Sequence, residues 1–82
     1  MPEPDLILVV NDNETTRYHT ERTLTRAGYQ VITAADGLQA LRMVSERSPR
    51  IVVLDVKLPG LDGWEVCRRI KKDSSTASTL VL

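Results

Sequence analysis

The sequence predicts an α/β domain: a parallel sheet with helices on both faces. Three observations carry this. Two runs, Leu6–Val10 and Ile51–Leu54, are continuously apolar and rich in β-branched residues, the composition of strands buried on both faces. These runs alternate with segments of helical periodicity, giving the order β-α-β-α-β-α-β, which demands right-handed crossovers and a layer of helices on each face. A carboxylate also follows each run, Asp12 (after Asn11) the first and Asp55 the second. The carboxyl ends of the strands are where open α/β sheets form their ligand crevice.

Each element follows from local chemistry. The first strand reads Asp5 to Val10. Asn11–Glu14 is a polar turn in which Asn13 is suited to cap a helix, with Glu14 adding favourable charge to its first turn. That helix runs to about Ala27, and Gly28 suits the position after its end; its apolar positions, Tyr18, Leu24 and Ala27, are sparse. Tyr29–Ala34 is a second strand. Asp36-Gly37 starts a second helix whose Leu38, Ala40, Leu41 and Val44 share one apolar face, and Pro49 closes that segment. Ile51–Asp55 is the third strand. Asp62-Gly63 opens a third helix, Trp64 to about Lys72, with Val66, Cys67 and Ile70 inward and Trp64 also expected to pack against the sheet. Arg68, Arg69, Lys71 and Lys72 make a basic helix end that reads as a solvated face. Ser74–Ser78 reads as a polar loop, and Thr79–Leu82 as the start of a fourth strand.

Bulk properties narrow the function. Eighty-two residues make one small domain, with 41% hydrophobic and 27% charged residues, which is ordinary for a globular chain. The formal net charge is zero, so no global field draws nucleic acid or an anionic membrane. Tyr18, Tyr29 and Trp64 are the only aromatics, which disfavours base stacking. Cys67 is the only cysteine, and with no signal-peptide pattern at the N-terminus the expected location is cytoplasmic. No apolar run approaches the ~20 residues that a membrane-spanning helix needs. His19 reads as a surface helix residue.

If the first and third strands are neighbours, Asp12 and Asp55 converge on one oxygen-rich pocket, the makings of a Mg²⁺ site beside a carboxylate nucleophile. Three segments carry a resemblance that gives this pocket a role: Val9-Val10-Asn11-Asp12-Asn13-Glu14, Ala35-Asp36-Gly37-Leu38-Gln39-Ala40-Leu41 and Leu54-Asp55-Val56-Lys57-Leu58-Pro59-Gly60-Leu61-Asp62-Gly63. In order and spacing the chain resembles the receiver domain of two-component response regulators. The resemblance implies a flavodoxin-like sheet of order 2-1-3-4 in these residues. It implies that Asp55 accepts a phosphoryl group from a phosphohistidine on a sensor histidine kinase or histidine phosphotransfer protein. Asp12, Asp55 and the backbone carbonyl of Lys57 would hold Mg²⁺, with Asn11 reaching the ion through water. Such a module assists its own modification and is not expected to turn over a separate substrate as an enzyme.

Two departures from the family pattern stand out. The usual acidic pair is here Asn11-Asp12, which removes one negative charge from the site. The family's switch Thr or Ser, its phosphate-binding Lys, its fifth strand and its last two helices have no counterpart within the 82 residues. Residues 1–82 therefore read as the N-terminal two-thirds of one receiver domain, switch-defective as a fragment. Leu80-Val81-Leu82 would form an apolar sheet edge that invites self-association. The alternative reading is a non-signalling, self-associating structural module. A phosphatase that uses an aspartyl-phosphate would want an acid at position 57, where this chain has Lys57. A dinucleotide-binding module would want glycines in the Asn11–Glu14 turn.

Overall fold

Strands and helices alternate along the chain as the apolar periodicity requires. The computed structural model describes residues 5–55, 57–58 and 61–82. Among them lie β1 (Leu6–Val10), α1 (Glu14–Arg26), β2 (Gln30–Ala34), α2 (Gly37–Arg47), β3 (Ile51–Leu54), α3 (Gly63–Lys72) and β4 (Leu80–Val81). The strands form one parallel sheet of order β2-β1-β3-β4. β1 is central: Leu8 pairs with Ile32 on one side and with Val52 on the other. The chain steps from β1 to β2 on one flank and then crosses to β3 on the other. That reversal makes the carboxyl ends of β1 and β3 the topological switch point, where such sheets open a crevice.

All three expected N-caps form. The side-chain oxygens of Asn13, Asp36 and Asp62 accept hydrogen bonds from the backbone N–H groups of Thr16 (2.9 Å), Gln39 (2.8 Å) and Glu65 (2.9 Å). Each such cap stabilises its helix by about 1 kcal/mol. Gly28, with φ of +100°, follows the end of α1, in a conformation that L side chains rarely adopt.

Side chains alternate across the sheet, and the two faces are covered unequally. Leu8, Val10, Ala34 and Val52 point to one face and pack with Ala40 and Val44 of α2, Val66 and Ile70 of α3, and Leu58. Full burial of each large aliphatic side chain is worth about 1.5–3 kcal/mol, so this cluster is the main source of stability. On the other face α1 lies over β1 and β2. Ile7 and Val9 are buried there, although α1 contributes no buried residue of its own. Their register partners on β3, Ile51 and Val53, are only half-buried. Burial on both faces thus holds for β1 and not for the third strand, which lies beyond the reach of α1. Leu80 and Leu82 extend the same face and are exposed.

Several expectations require correction. Leu38 is 62% exposed and Trp64 is 74% exposed. The inward stripes are Gly37, Ala40 and Val44 on α2 and Gly63, Val66 and Ile70 on α3, and one residue further along a helix rotates a side chain by about 100° off such a stripe. Tyr18 is likewise exposed, with Arg22 stacked 5.6 Å from its ring centroid. The strands are also shorter than read: Asp5, Tyr29 and Asp55 fall just outside, and β4 is only Leu80–Val81.

The loop before β4 is not a simple solvated tether. Thr76 and Thr79 are buried. Thr76 Oγ1 donates to the Ile70 carbonyl (2.7 Å), satisfying an acceptor that the end of α3 leaves open. Lys71 Nζ donates to the carbonyls of Ala77 and Thr79.

Gly37 is fixed by space. A Cβ there would lie 2.6 Å from the Leu61 carbonyl oxygen and 2.8 Å from Val66 Cγ2. The start of α2 therefore abuts the residues that lead into α3.

Candidate functional site

The register of β1 and β3 builds the site. Val10 pairs with Leu54, and the Asp55 N–H donates to the Val10 carbonyl (3.0 Å) while the Asn11 N–H donates to Ala34 (3.1 Å). Asn11 and Asp55 thus leave adjacent parallel strands at the same level, and Asp12 follows at once. The register thus sets Asn11 and Asp55 side by side, with Asp12 next along the chain.

Their surroundings differ. Asp55 is half-buried, and its Oδ1 accepts the Lys57 N–H (3.1 Å), a local turn that starts the loop after β3. Its Oδ2 accepts no hydrogen bond from the described residues. Asp12 is exposed, and its carboxylate likewise has no partner among them. Lys57 is exposed, in keeping with a solvated side chain. Val56, Pro59 and Gly60, which belong to the most specific motif, lie outside the described residues.

Asn11 is more engaged than its sequence context suggested. Its amide oxygen accepts the Asn13 N–H (2.9 Å), so one of its two lone-pair directions is already taken. Its backbone carbonyl accepts Nη1 of Arg17 (2.9 Å). Sequence reasoning missed Arg17. The signal was available: Arg17 sits one turn past the Asn13 cap, and helical side chains lean back toward the N-terminus.

The donor set can be tested against a divalent ion. Among the described residues no group of three or more His, Cys, Asp or Glu gathers anywhere. An ion here would be held by two carboxylates, neutral oxygen donors and water. That set suits Mg²⁺, a hard cation that keeps several waters and commonly takes one or two carboxylates plus phosphate oxygens.

The basic residues of α3 are not part of this centre. Glu65 binds Arg68 (2.8 Å) and Arg69 (2.9 Å), and those hydrogen bonds, Arg68 first, hold its carboxyl below the usual range. Asp73 is lowered too, by hydrogen bonds from the Ser75 backbone and hydroxyl.

A parallel sheet of this order, with carboxylates gathered at the carboxyl ends of its two middle strands, defines a flavodoxin-like receiver fold. Residues 7–82 match the response regulator receiver domain family, and the chain belongs to that family. It is similar to the transcriptional regulatory protein AfsQ1 of Streptomyces coelicolor, with 47% identity over 80% of this chain and 29% of that protein. The structure superposes on a putative response regulator from Chloroflexus aurantiacus with a TM-score of 0.92 and 35% identity, covering 95% of this chain and 64% of that one. It is also similar to the receiver domain of the sensor histidine kinase PA1611 of Pseudomonas aeruginosa, at a TM-score of 0.90 and 31% identity over 95% of this chain and 64% of that one. That protein was solved with a magnesium ion coordinated in its active site cleft. The chain spans about a third of the length of AfsQ1 and of the response regulator MprA. No helix among the described residues is long and apolar enough to cross a membrane.

Proposed function

We propose that this chain is a phosphoacceptor module of a two-component relay, with Asp55 as the acceptor. One observation carries the reading: the Asn11-Asp12 turn and Asp55 leave adjacent parallel strands at the same level. In the reaction Asp55 Oδ2 attacks the phosphorus of a phosphohistidine. A P–O bond forms, the P–N bond breaks, and the imidazole nitrogen keeps the electron pair. The phosphohistidine belongs to a sensor histidine kinase or a histidine phosphotransfer protein.

Asp12, Asp55, the Lys57 carbonyl and, through water, Asn11 would hold Mg²⁺. When bound, the ion neutralises phosphoryl oxygen charge and fixes an in-line approach. The chain's own residues supply the geometry. The Lys57 N–H orients Asp55 through Oδ1, leaving Oδ2 to react. The reaction modifies the module itself, and its output is a change of partner, not a released product.

Incubation with a phosphorylated histidine phosphotransfer protein tests the reading. Wild type should acquire the phosphoryl group and Asp55→Asn should not; equal labelling of both would exclude Asp55 as the acceptor.

A second reading is favoured by a specific observation. Ile51, Val53, Leu80 and Leu82 lie on one face and are exposed or half-buried, beside an edge strand. Such a surface supports self-association of the 82-residue chain through its edge or that face. This is compatible with phosphoacceptance; if Asp55 proves unreactive, a non-signalling interaction module remains. No direct contact with nucleic acid or membrane is proposed, and the proposed location is the cytoplasm.

A further inference from the structure

We infer that Arg17 is a positioning residue for the divalent cation: it fixes Asp12 without touching it. The inference rests on the metal reading above. Asp12 is exposed and its carboxylate has no partner among the described residues, yet both peptide planes that flank it are pinned. The plane joining residues 11 and 12 is held through its carbonyl, which accepts Arg17 Nη1 at 2.9 Å. The plane joining residues 12 and 13 is held through its N–H, which donates to Asn11 Oδ1 at 2.9 Å.

Peptide units are planar, so fixing both leaves Asp12 little backbone freedom. The anchors on either side are themselves fixed. Asn11 N–H is tied to Ala34, and Arg17 N–H donates to the Asn13 carbonyl at 2.9 Å within α1. Asp12 is thereby held at the end of β1, one residue past the level at which Asp55 leaves β3, while its carboxylate has no partner among the described residues. A ligand held ready in this way binds an ion without first paying to order its own loop.

The guanidinium also places a positive charge near the ion, which opposes binding. That charge is half-exposed and screened over roughly 8 Å at physiological salt. Loss of a group hydrogen-bonded directly to a metal ligand typically costs about 10–100-fold in affinity, and Arg17, which acts one bond further out on the Asn11 carbonyl, belongs at the low end of that range. Positioning should therefore prevail over repulsion.

The test is calorimetric titration of the 82-residue chain with Mg²⁺ at physiological ionic strength, with folding checked by circular dichroism. Arg17→Met keeps the aliphatic stem and helix propensity but removes the donor; it should bind Mg²⁺ about tenfold more weakly. Arg17→Lys restores a donor and should recover most of that loss. If Arg17→Met does not fold, Arg17→Gln carries the same comparison. Equal affinity in Arg17→Met and wild type would overturn the inference, as would tighter binding, which would show that charge repulsion dominates. Arg17→Lys binding as weakly as Arg17→Met would assign the effect to helix packing and overturn it too. A wild-type chain that binds no Mg²⁺ would overturn the metal reading itself, and this inference with it.

Discussion

Asn11 occupies the place of the first acid in the family's acidic pair, and its effect is electrostatic. The turn keeps its shape, because the amide oxygen caps the Asn13 N–H as a carboxylate would, but the site carries one negative charge fewer. Affinity for hard cations rises with the charge of the ligand set. Asn11→Asp should therefore tighten Mg²⁺ binding by about three- to tenfold in parallel calorimetric titrations; equal affinities would show that this position lies outside the ion's influence. The two carboxylates were legible in the sequence because each ends an apolar run, and strand ends in a parallel sheet are where chemistry collects. Arg17 was not read from the sequence, because an arginine in a polar helix has many possible partners. The lean of helical side chains points it back toward the Asn11–Asn13 turn, and the fold selects the Asn11 carbonyl among the candidates there.

At the scale of elements, caps and inward stripes explain most of what forms. Asn13, Asp36 and Asp62 were readable as caps because short polar side chains satisfy helix-start N–H groups wherever they precede a helical pattern. Leu38 and Trp64 point outward despite their apolar character, because the stripes through Gly37 and Gly63 rotate them away from the sheet; hydrophobicity alone does not fix which face a helical residue occupies. Gly37 gives a direct test of the contact between α2 and the loop entering α3. Alanine would gain up to about 1 kcal/mol of helix propensity, but its Cβ would meet the Leu61 carbonyl at 2.6 Å, and overpacking of this kind costs about 1–3 kcal/mol. Gly37→Ala should be net destabilising, lowering the thermal midpoint by roughly 5–10 °C; an unchanged midpoint would mean that the contact relaxes freely. On α3, Glu65 is held below its ordinary range by Arg68 and Arg69. Its contribution is fully present above the ordinary glutamate value of about 4.3 and is lost as pH falls through the lowered one. Helicity followed by circular dichroism on acidification should lose a component in that window, and Glu65→Gln should lack it.

At the largest scale, the described residues cover the two sheet faces unequally. The α2–α3 side is closed by Leu8, Val52, Val66 and Ile70, all at 1% exposure or less. The α1 side leaves Ile51 and Val53 half-buried, next to exposed Leu80 and Leu82. The parallel sheet was legible from alternating β and α signals and its strand order from the family resemblance, while the uneven cover was not, since apolar composition does not reveal which helix reaches which strand. This surface should drive association of the 82-residue chain at micromolar concentrations, seen as concentration-dependent mass in sedimentation equilibrium and reduced by Leu80→Lys. A monodisperse monomer with a sharp unfolding transition would contradict it.

The central claim is that Asp55, beside Asp12 at the carboxyl ends of β3 and β1, accepts a phosphoryl group. The most direct test is the intact mass of the chain after incubation with Mg²⁺ and a small-molecule phosphodonor, with Asp55→Asn in parallel and the fold of both checked by circular dichroism. The account predicts the gain of one phosphoryl group in wild type, none in the variant, and none when the metal is chelated. A folded wild type that gains nothing, or a variant that gains as much, would contradict it.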